Sequence, residues 1–312
     1  MAENRKLLQY DVLERLGEGA RSTIYAVRDP ATGRKFAMKH VLRKDDKDVR
    51  FIEQMQAEYD VSKNFNHPVL RKSYELKINR PLMGFLGMAK PTEAFLLMEL
   101  VEGKPVDQDM PRHLVDMVDL FIQVAEGLKH MHWLGYVHCD IKPINIMRTA
   151  EGQVKIIDFG QSCKSGTIKE RIQGTPDYIA PEQVARRPVT AQTDVFNLGA
   201  SLYWALTAKP IPTLYTTNKK GSTSLLSHDL MDTPQQLNPK VPTALSRLIM
   251  ECIATTPTKR PESMEDVIRR LELVKHVLLK EQGLVAPAEA LGPEDTVAPG
   301  LVPKQDERPP LV

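Results

Sequence analysis

Cysteine is scarce in this 312-residue sequence: Cys139, Cys163 and Cys252 are odd in number and far apart. That argues against a disulfide framework, and no metal-ligand spacing runs among the three, so a reducing, cytoplasmic setting is expected. Long apolar runs are missing as well. No stretch of about 18 apolar residues is present, so no membrane insertion is expected. The opening MAENRKLLQYDVLERLG has no apolar core of signal-peptide length. Charge of one sign is also lacking. Lys and Arg number 42 against 40 Asp and Glu, a formal charge of +2, which gives no footing for nucleic acid or an anionic membrane as the main partner. The pattern GxxxxGKS is absent, so a P-loop nucleotidase is not supported. There are no internal repeats.

What is present divides into two styles of patterning. Segments around 8–16, 22–28, 34–42, 72–78 and 94–101 are short and mix apolar, aromatic and polar residues, as half-buried antiparallel strands do. DPATGR at 29–34 has the residues of a tight turn joining two of them. Residues 48–65 interrupt the strands: Phe51, Ile52, Met55, Tyr59 and Ser62 recur at helical spacing, and Glu58 falls inside that apolar stripe. A buried carboxylate needs a cationic partner. From about residue 102 helices take over. A long amphipathic one runs from Leu114 through Leu128 with Gly135 as a stop, and 193–207 is apolar nearly all round, as a central helix would be. Two more are expected at 242–254 and 262–281, with surface loops over 208–241. The expected organisation is a strand-rich lobe over 1–101, a helical lobe over 102–282, and a Pro-rich disordered tail over 283–312.

Several short motifs carry possible chemistry. Gly17-Glu18-Gly19-Ala20-Arg21-Ser22 lies between two strands, where glycines serve either a plain hairpin turn or the close approach of phosphates to backbone amides. Lys39 follows Phe36-Ala37-Met38 in a strand. It is either an edge lysine facing solvent or the partner that Glu58 requires, and a lysine so held could clamp the α- and β-phosphates of ATP. In Val137-His138-Cys139-Asp140-Ile141-Lys142-Pro143-Ile144-Asn145, the Asp, Lys and Asn supply a proton acceptor, a cation and a metal ligand. Val154-Lys155-Ile156-Ile157-Asp158-Phe159-Gly160 is a short strand ending in an acid. Asp158 is either a turn former or a hard oxygen ligand for Mg2+.

Taken in order, these motifs resemble those of the eukaryotic-type protein kinases over roughly residues 10–275. The glycine turn appears with Ser22 in place of the third glycine. HCDIKPIN is similar to HRDxKxxN, Asp158-Phe159-Gly160 to DFG and Ala180-Pro181-Glu182 to APE, with Gly174-Thr175-Pro176-Asp177-Tyr178 before it. DVFNLG, beginning at Asp194, resembles DxWSxG, and Arg260 matches the arginine that pairs with the APE glutamate, here Glu182.

The resemblance implies an α+β bilobal fold and a serine/threonine protein kinase, similar to bacterial members, using ATP and Mg2+ on protein substrates with Ser or Thr acceptors. It implies that Gly17 and Gly19 cover the phosphates and that Ile24 and Ala37 sandwich the adenine. Lys39, held by Glu58, would bind phosphate. Met98 would be the gatekeeper, and the backbone of Glu99-Leu100-Val101 the hinge. Asp140 would be the base, Lys142 the cation at the γ-phosphate, and Asn145 and Asp158 the metal ligands. Lys142 two residues after Asp140, together with Thr175, points to the serine/threonine branch. One departure stands out: Cys139 replaces the HRD arginine that commonly contacts a phosphorylated activation loop, which argues against that mode of activation. Cys163 reads as an ordinary thiol. Two rivals are a pseudokinase scaffold and a small-molecule kinase. The first is opposed by the presence of Lys39, Asp140, Asn145 and Asp158, the second by the APE segment and Arg260.

Overall fold

The computed structural model describes residues 5–19, 21–81, 90–212 and 231–283. The expected tail beyond Gly283, most of the loop region at 208–241 (213–230) and Ala20 of the glycine turn lie outside these residues. The chain begins with strands β1 (Lys6–Leu7), β2 (Tyr10–Glu18), β3 (Ser22–Arg28) and β4 (Lys35–Leu42). The turn between β3 and β4 follows from its residues. The Asp29 carboxylate accepts from Ala31 N and the Thr32 hydroxyl, and Gly33 takes φ 72°, a conformation that a side chain would oppose. Helix α1 (Val49–Ser62) follows, then β5 (Ser73–Asn79) and β6 (Glu93–Met98). The six strands form one antiparallel sheet in the order β1-β2-β3-β4-β6-β5.

Strand alternation gives the sheet two faces. Tyr25, Val27, Phe36, Met38, Phe95 and Leu97 form a core on one side. Val41, Ala94 and Leu96 meet Ile52 and Met55 of α1 on the other. The strand expected over 94–101 stops at Met98, because Glu99 turns its carboxylate to Lys155 Nζ at 2.6 Å and to the Lys72 amide at 3.0 Å. The strand expected from residue 8 starts at Tyr10, since Leu8 adopts φ 56° in a turn after β1.

The second lobe is helical, which makes the molecule bilobal and α+β. This lobe holds helices α2 (Leu114–Trp133), α3 (Pro181–Val184), α4 (Ala191–Thr207), α5 (Pro234–Leu237), α6 (Thr243–Cys252) and α7 (Met264–Glu281), of which all but the short α3 contribute to one apolar core. Gly135, at φ 80°, ends the turn after α2. Helix α4 lies so close to α6 that a Cβ on Gly199 would stand 2.5 Å from Cys252 Cβ. Between α2 and α3 the chain forms short strands: β8 (Tyr136–Val137), β9 (Ile146–Arg148), β10 (Val154–Ile156) and β11 (Cys163–Lys164), with β7 (Lys104–Pro105) completing a β10-β9-β7 sheet. Val61, Phe65, Val69 and Leu70 of the first lobe pack into the core of the second, so the lobes meet behind α1.

Candidate active site

Lys39 reaches the site because β4 alternates. Its backbone pairs with Ile24 of β3 and Leu96 of β6, and Ala37, two residues earlier, pairs with Met98. Its Nζ lies 2.7 Å from Glu58 Oε2 and 4.0 Å from Asp158 Oδ1. Burial alone would lower the Lys39 pKa; Glu58 and Asp158 outweigh it, so Lys39 stays above its ordinary value and remains an ammonium.

The sequence pattern says that Glu58 needs a cation. The structure gives it two. Glu58 Oε1 accepts from Arg71 Nη2 at 2.9 Å, and both residues are only 2 % exposed. Arg71 was not singled out from sequence. It follows the apolar pair Val69-Leu70 without any periodicity that would mark it as buried. Its Nε donates to the Ile157 carbonyl at 2.7 Å and its Nη1 to Ser73 Oγ at 3.1 Å, while its guanidinium lies 5.3 Å from the Phe159 ring centre. One side chain thereby ties α1 and β5 to the segment carrying Asp158. Ser62 Oγ and Ser73 Oγ, 2.6 Å apart, extend the same polar layer.

The second group is built on the loop after β8. Cys139 takes φ 67°, a strained conformation for a residue with a side chain, costing about 1–3 kcal/mol. The surroundings hold it there. Asp194, in the first turn of α4, accepts from the His138 and Cys139 amides, each at 2.8 Å, and Gln183 Nε2 donates to the Cys139 carbonyl at 2.8 Å. The bend aims Asp140. Its Oδ2 accepts from Lys142 Nζ at 2.8 Å, and its Oδ1 from the Thr175 amide at 3.1 Å and hydroxyl at 2.9 Å. Lys142 Nζ also donates to the Thr175 hydroxyl, closing a triangle.

Asn145 spends its amide hydrogens on the Asp140 carbonyl at 2.9 Å and, more weakly, on Asp140 Oδ2 at 3.4 Å. Its Oδ1 accepts nothing among the described residues. The Asn145 carbonyl accepts from the Ile157 amide at 3.0 Å, which joins this group to the Asp158 strand. Asp158 is partly open to solvent and accepts from Gly160 N at 3.0 Å. Burial pushes its pKa up, but Lys39 and the Gly160 amide prevail and hold it below the usual carboxylate value. Phe159 packs edge-on against Phe65 and His138, at 5.0 and 5.7 Å between ring centres.

Two oxygen donors, Asp158 and the free Asn145 Oδ1, fit a hard divalent cation that completes its shell with water and phosphate oxygens. No group of three or more His, Cys, Asp or Glu among the described residues would cage a metal alone.

The remaining candidates sit around this centre. Gly17 lies opposite Ile24, with open space where its Cβ would be, and the Gly19 amide donates to the Ser22 carbonyl at 2.7 Å. Neither glycine bonds to Lys39, Asp140 or Asp158. Ala37 and Met98 are buried, and Glu99, Leu100 and Val101 run half-buried from one lobe to the other. The ion pair implied for Glu182 is present: Arg260 donates to it through two nitrogens at 2.8 and 2.9 Å. Cys163, read from sequence as an ordinary thiol, faces a second cysteine. Its sulfur lies 3.9 Å from that of Cys139.

A family profile described as "Protein kinase domain" matches residues 10–271. The chain is 27% identical to a probable serine/threonine-protein kinase of Clostridium acetobutylicum over 86% of its own length and 40% of that protein. It is 28% identical to serine/threonine-protein kinase PknA of Mycobacterium tuberculosis, covering 82% of this chain and 58% of the relative. The figures for serine/threonine-protein kinase PrkC of Bacillus subtilis are 28%, 83% and 39%. The chain thus spans about two-fifths to three-fifths of the length of these relatives.

Proposed function

Because the chain belongs to the protein kinase family, with residues 10–271 forming its domain, we propose that it transfers the γ-phosphate of ATP to Ser or Thr hydroxyls of protein substrates. The observation that carries this reading is the Asp140–Lys142–Thr175 triangle beside Asn145 and the Lys39–Glu58 pair. In-line phosphoryl transfer asks the protein for positioning and charge stabilisation more than for covalent chemistry. Four donors orient the two Asp140 oxygens and a carboxylate has about four lone-pair sites, so an acceptor hydroxyl takes the place of the longest contact, the 3.4 Å one from Asn145. As that oxygen attacks the γ-phosphorus, Asp140 takes its proton and the β–γ bridging bond breaks to release ADP. Lys142 offsets charge at the transferring group, and Lys39, locked by Glu58, binds the α- and β-phosphates. Gly17 and Gly19 cover the phosphates; Ile24, Ala37, Met98 and the Glu99–Val101 backbone hold the adenine. Asn145 and Asp158 would hold Mg2+, which, when bound, neutralises charge developing between the phosphates.

The three free cysteines support a cytoplasmic setting, and no described helix is long and apolar enough to cross a membrane. We take 1–101 and 102–282 as the two lobes of the catalytic unit. Phosphoamino-acid analysis of a protein substrate after incubation with γ-labelled ATP and Mg2+ tests the assignment. Phosphoserine and phosphothreonine are expected; label on tyrosine alone, or only on a small molecule, would refute it.

A further inference from the structure

Strands β8 and β11 pair antiparallel, with Cys163 opposite Val137, and this short ladder joins the segment after Asp158 to the loop before Asp140. Two residues past Val137, the left-handed backbone at Cys139 brings the two sulfurs to 3.9 Å. The two thiols differ in surroundings. Cys139 is 1 % exposed, packed with Val137 and Val189, and its backbone is held on both sides by Asp194 and Gln183. Cys163 is only partly buried, on a two-residue strand. Neither sulfur bonds to Asp140, Lys142, Asn145 or Asp158, so the phosphotransfer scheme leaves the pair unused.

We propose that Cys139 and Cys163 form a redox-active dithiol that takes a hydroperoxide as oxidant and closes to a reversible disulfide, stapling the activation segment (between Asp158 and Glu182) to the catalytic loop (the turn at 138–145 that carries Asp140). The Cys163 thiolate attacks the outer peroxide oxygen; the O–O bond breaks, leaving a sulfenic acid on Cys163 and releasing alkoxide or hydroxide, which takes up a proton. Cys139 then attacks the Cys163 sulfur. An S–S bond forms, and the sulfenic hydroxyl leaves with the Cys139 proton as water. Two thiols and one hydroperoxide thus give one disulfide, one alcohol or water, and one further water.

The division of roles follows from the site. The Cys139 thiol, as hydrogen-bond donor, and the Lys169 ammonium bring the Cys163 pKa down to about 6 against the cost of burial, so the less deeply buried of the two sulfurs is the nucleophile. The hydrogen bond to Cys163 and then burial push Cys139 up, which suits a resolving thiol. Closing the gap to about 2.05 Å asks for a shift under about 2 Å, and the lightly held Cys163 is placed to make it. Cys139 stands where similar sequences carry the arginine that meets a loop phosphate. The covalent link would join the same two segments by other chemistry.

The full chain is titrated with hydrogen peroxide, its remaining thiols are blocked with N-ethylmaleimide, and it is digested without reductant for mass spectrometry. A peptide linked through Cys139 and Cys163, reversed by dithiothreitol, is the expected main product. Cys252, buried and pushed up to about 12 by that burial, should stay reduced as the internal control. In Cys139→Ser, dimedone should trap the sulfenic acid on Cys163; in Cys163→Ser, Cys139 should stay unoxidised. Trypsin cleavage after Lys164, Lys169 and Arg171 should slow several-fold on oxidation. Sulfinic acid on Cys163 with Cys139 left free, links only between separate chains, or two intact thiols under conditions that oxidise free cysteine would each overturn the dithiol; an unchanged cleavage rate would overturn the staple. None of these readouts needs phosphotransfer, so failure here and failure of the kinase reading are separately visible.

Discussion

Glu58 is held by two cations, Lys39 and Arg71, one on each carboxylate oxygen. Its place in an apolar stripe demanded a partner, and Lys39 was within reach of inference because it too lacked a reason to be in its strand. The second cation, Arg71, was not, since it lies outside any periodic element and its partners, Glu58, the Ile157 carbonyl and the Ser73 hydroxyl, come from three separate segments. Lys39→Met and Glu58→Gln are each expected to depress activity, and the double variant to be little worse than the worse single one. Strictly additive losses in log kcat/KM would contradict the pairing. Arg71→Met removes the tie between α1 and the Ile157 carbonyl while Lys39 still neutralises Glu58. A fall in kcat of about tenfold or more, ~1.4 kcal/mol in the barrier, is expected. Arg71→Lys should recover little, because an ammonium cannot reproduce the fork that reaches Glu58, Ile157 and Ser73 together. Wild-type kcat in Arg71→Met, read against folded protein in solution, would refute this.

Among the elements, legibility followed length. Helix α1 showed a helical spacing, α2 an amphipathic run and α4 an apolar surface nearly all round, and the expected limits of these, of α6 and α7 and of the longer strands fall within a few residues of those observed. Strands β7 to β11, two or three residues each, are too short to show any period, yet they position Asp140, Asn145 and Asp158. Their residues were found through motif order instead. The activation segment is tied by β11 and by an apolar cluster of Val137, Cys139 and Val189, with no cation at residue 139 to receive a phosphate. Ser162 is buried, its hydroxyl without a partner among the described residues, whereas Thr167 donates to the Lys164 carbonyl. Alanine at Ser162, Ser165 and Thr167 together should cost less than about tenfold in rate. Comparing phosphatase-treated with autophosphorylated protein on one peptide checks this; a gain of about a hundredfold on phosphorylation, or ~2.7 kcal/mol, would mean that another cation serves the loop. Within the core, Gly199→Ala should lose about 1–3 kcal/mol in urea unfolding, because α4 and α6 leave no room for a methyl. An unchanged midpoint would show that the helices part readily.

The whole molecule is organised by buried charge as much as by its apolar core. Glu182–Arg260 braces the helical lobe behind the activation segment, Asp194 holds the catalytic loop from α4, and Lys39 and Arg71, both held by Glu58, reach Asp158 and the Ile157 carbonyl in the second lobe. Helix α7 buries its last core side chain at Leu278, so truncation after Gln282 should leave ATP turnover intact; lost turnover in a folded truncated protein would place the tail in the catalytic unit. The central claim is that Asp140 handles the acceptor hydroxyl while Lys39, Asn145 and Asp158 handle the nucleotide. Its most direct test is to measure Mg-ATP affinity and the rate of γ-phosphate transfer side by side for wild type and Asp140→Asn. Nearly equal affinities with transfer lowered by orders of magnitude in the variant are the expected result. Transfer as fast in Asp140→Asn as in wild type, or a wild-type protein that binds Mg-ATP and transfers nothing to any protein acceptor, would contradict it.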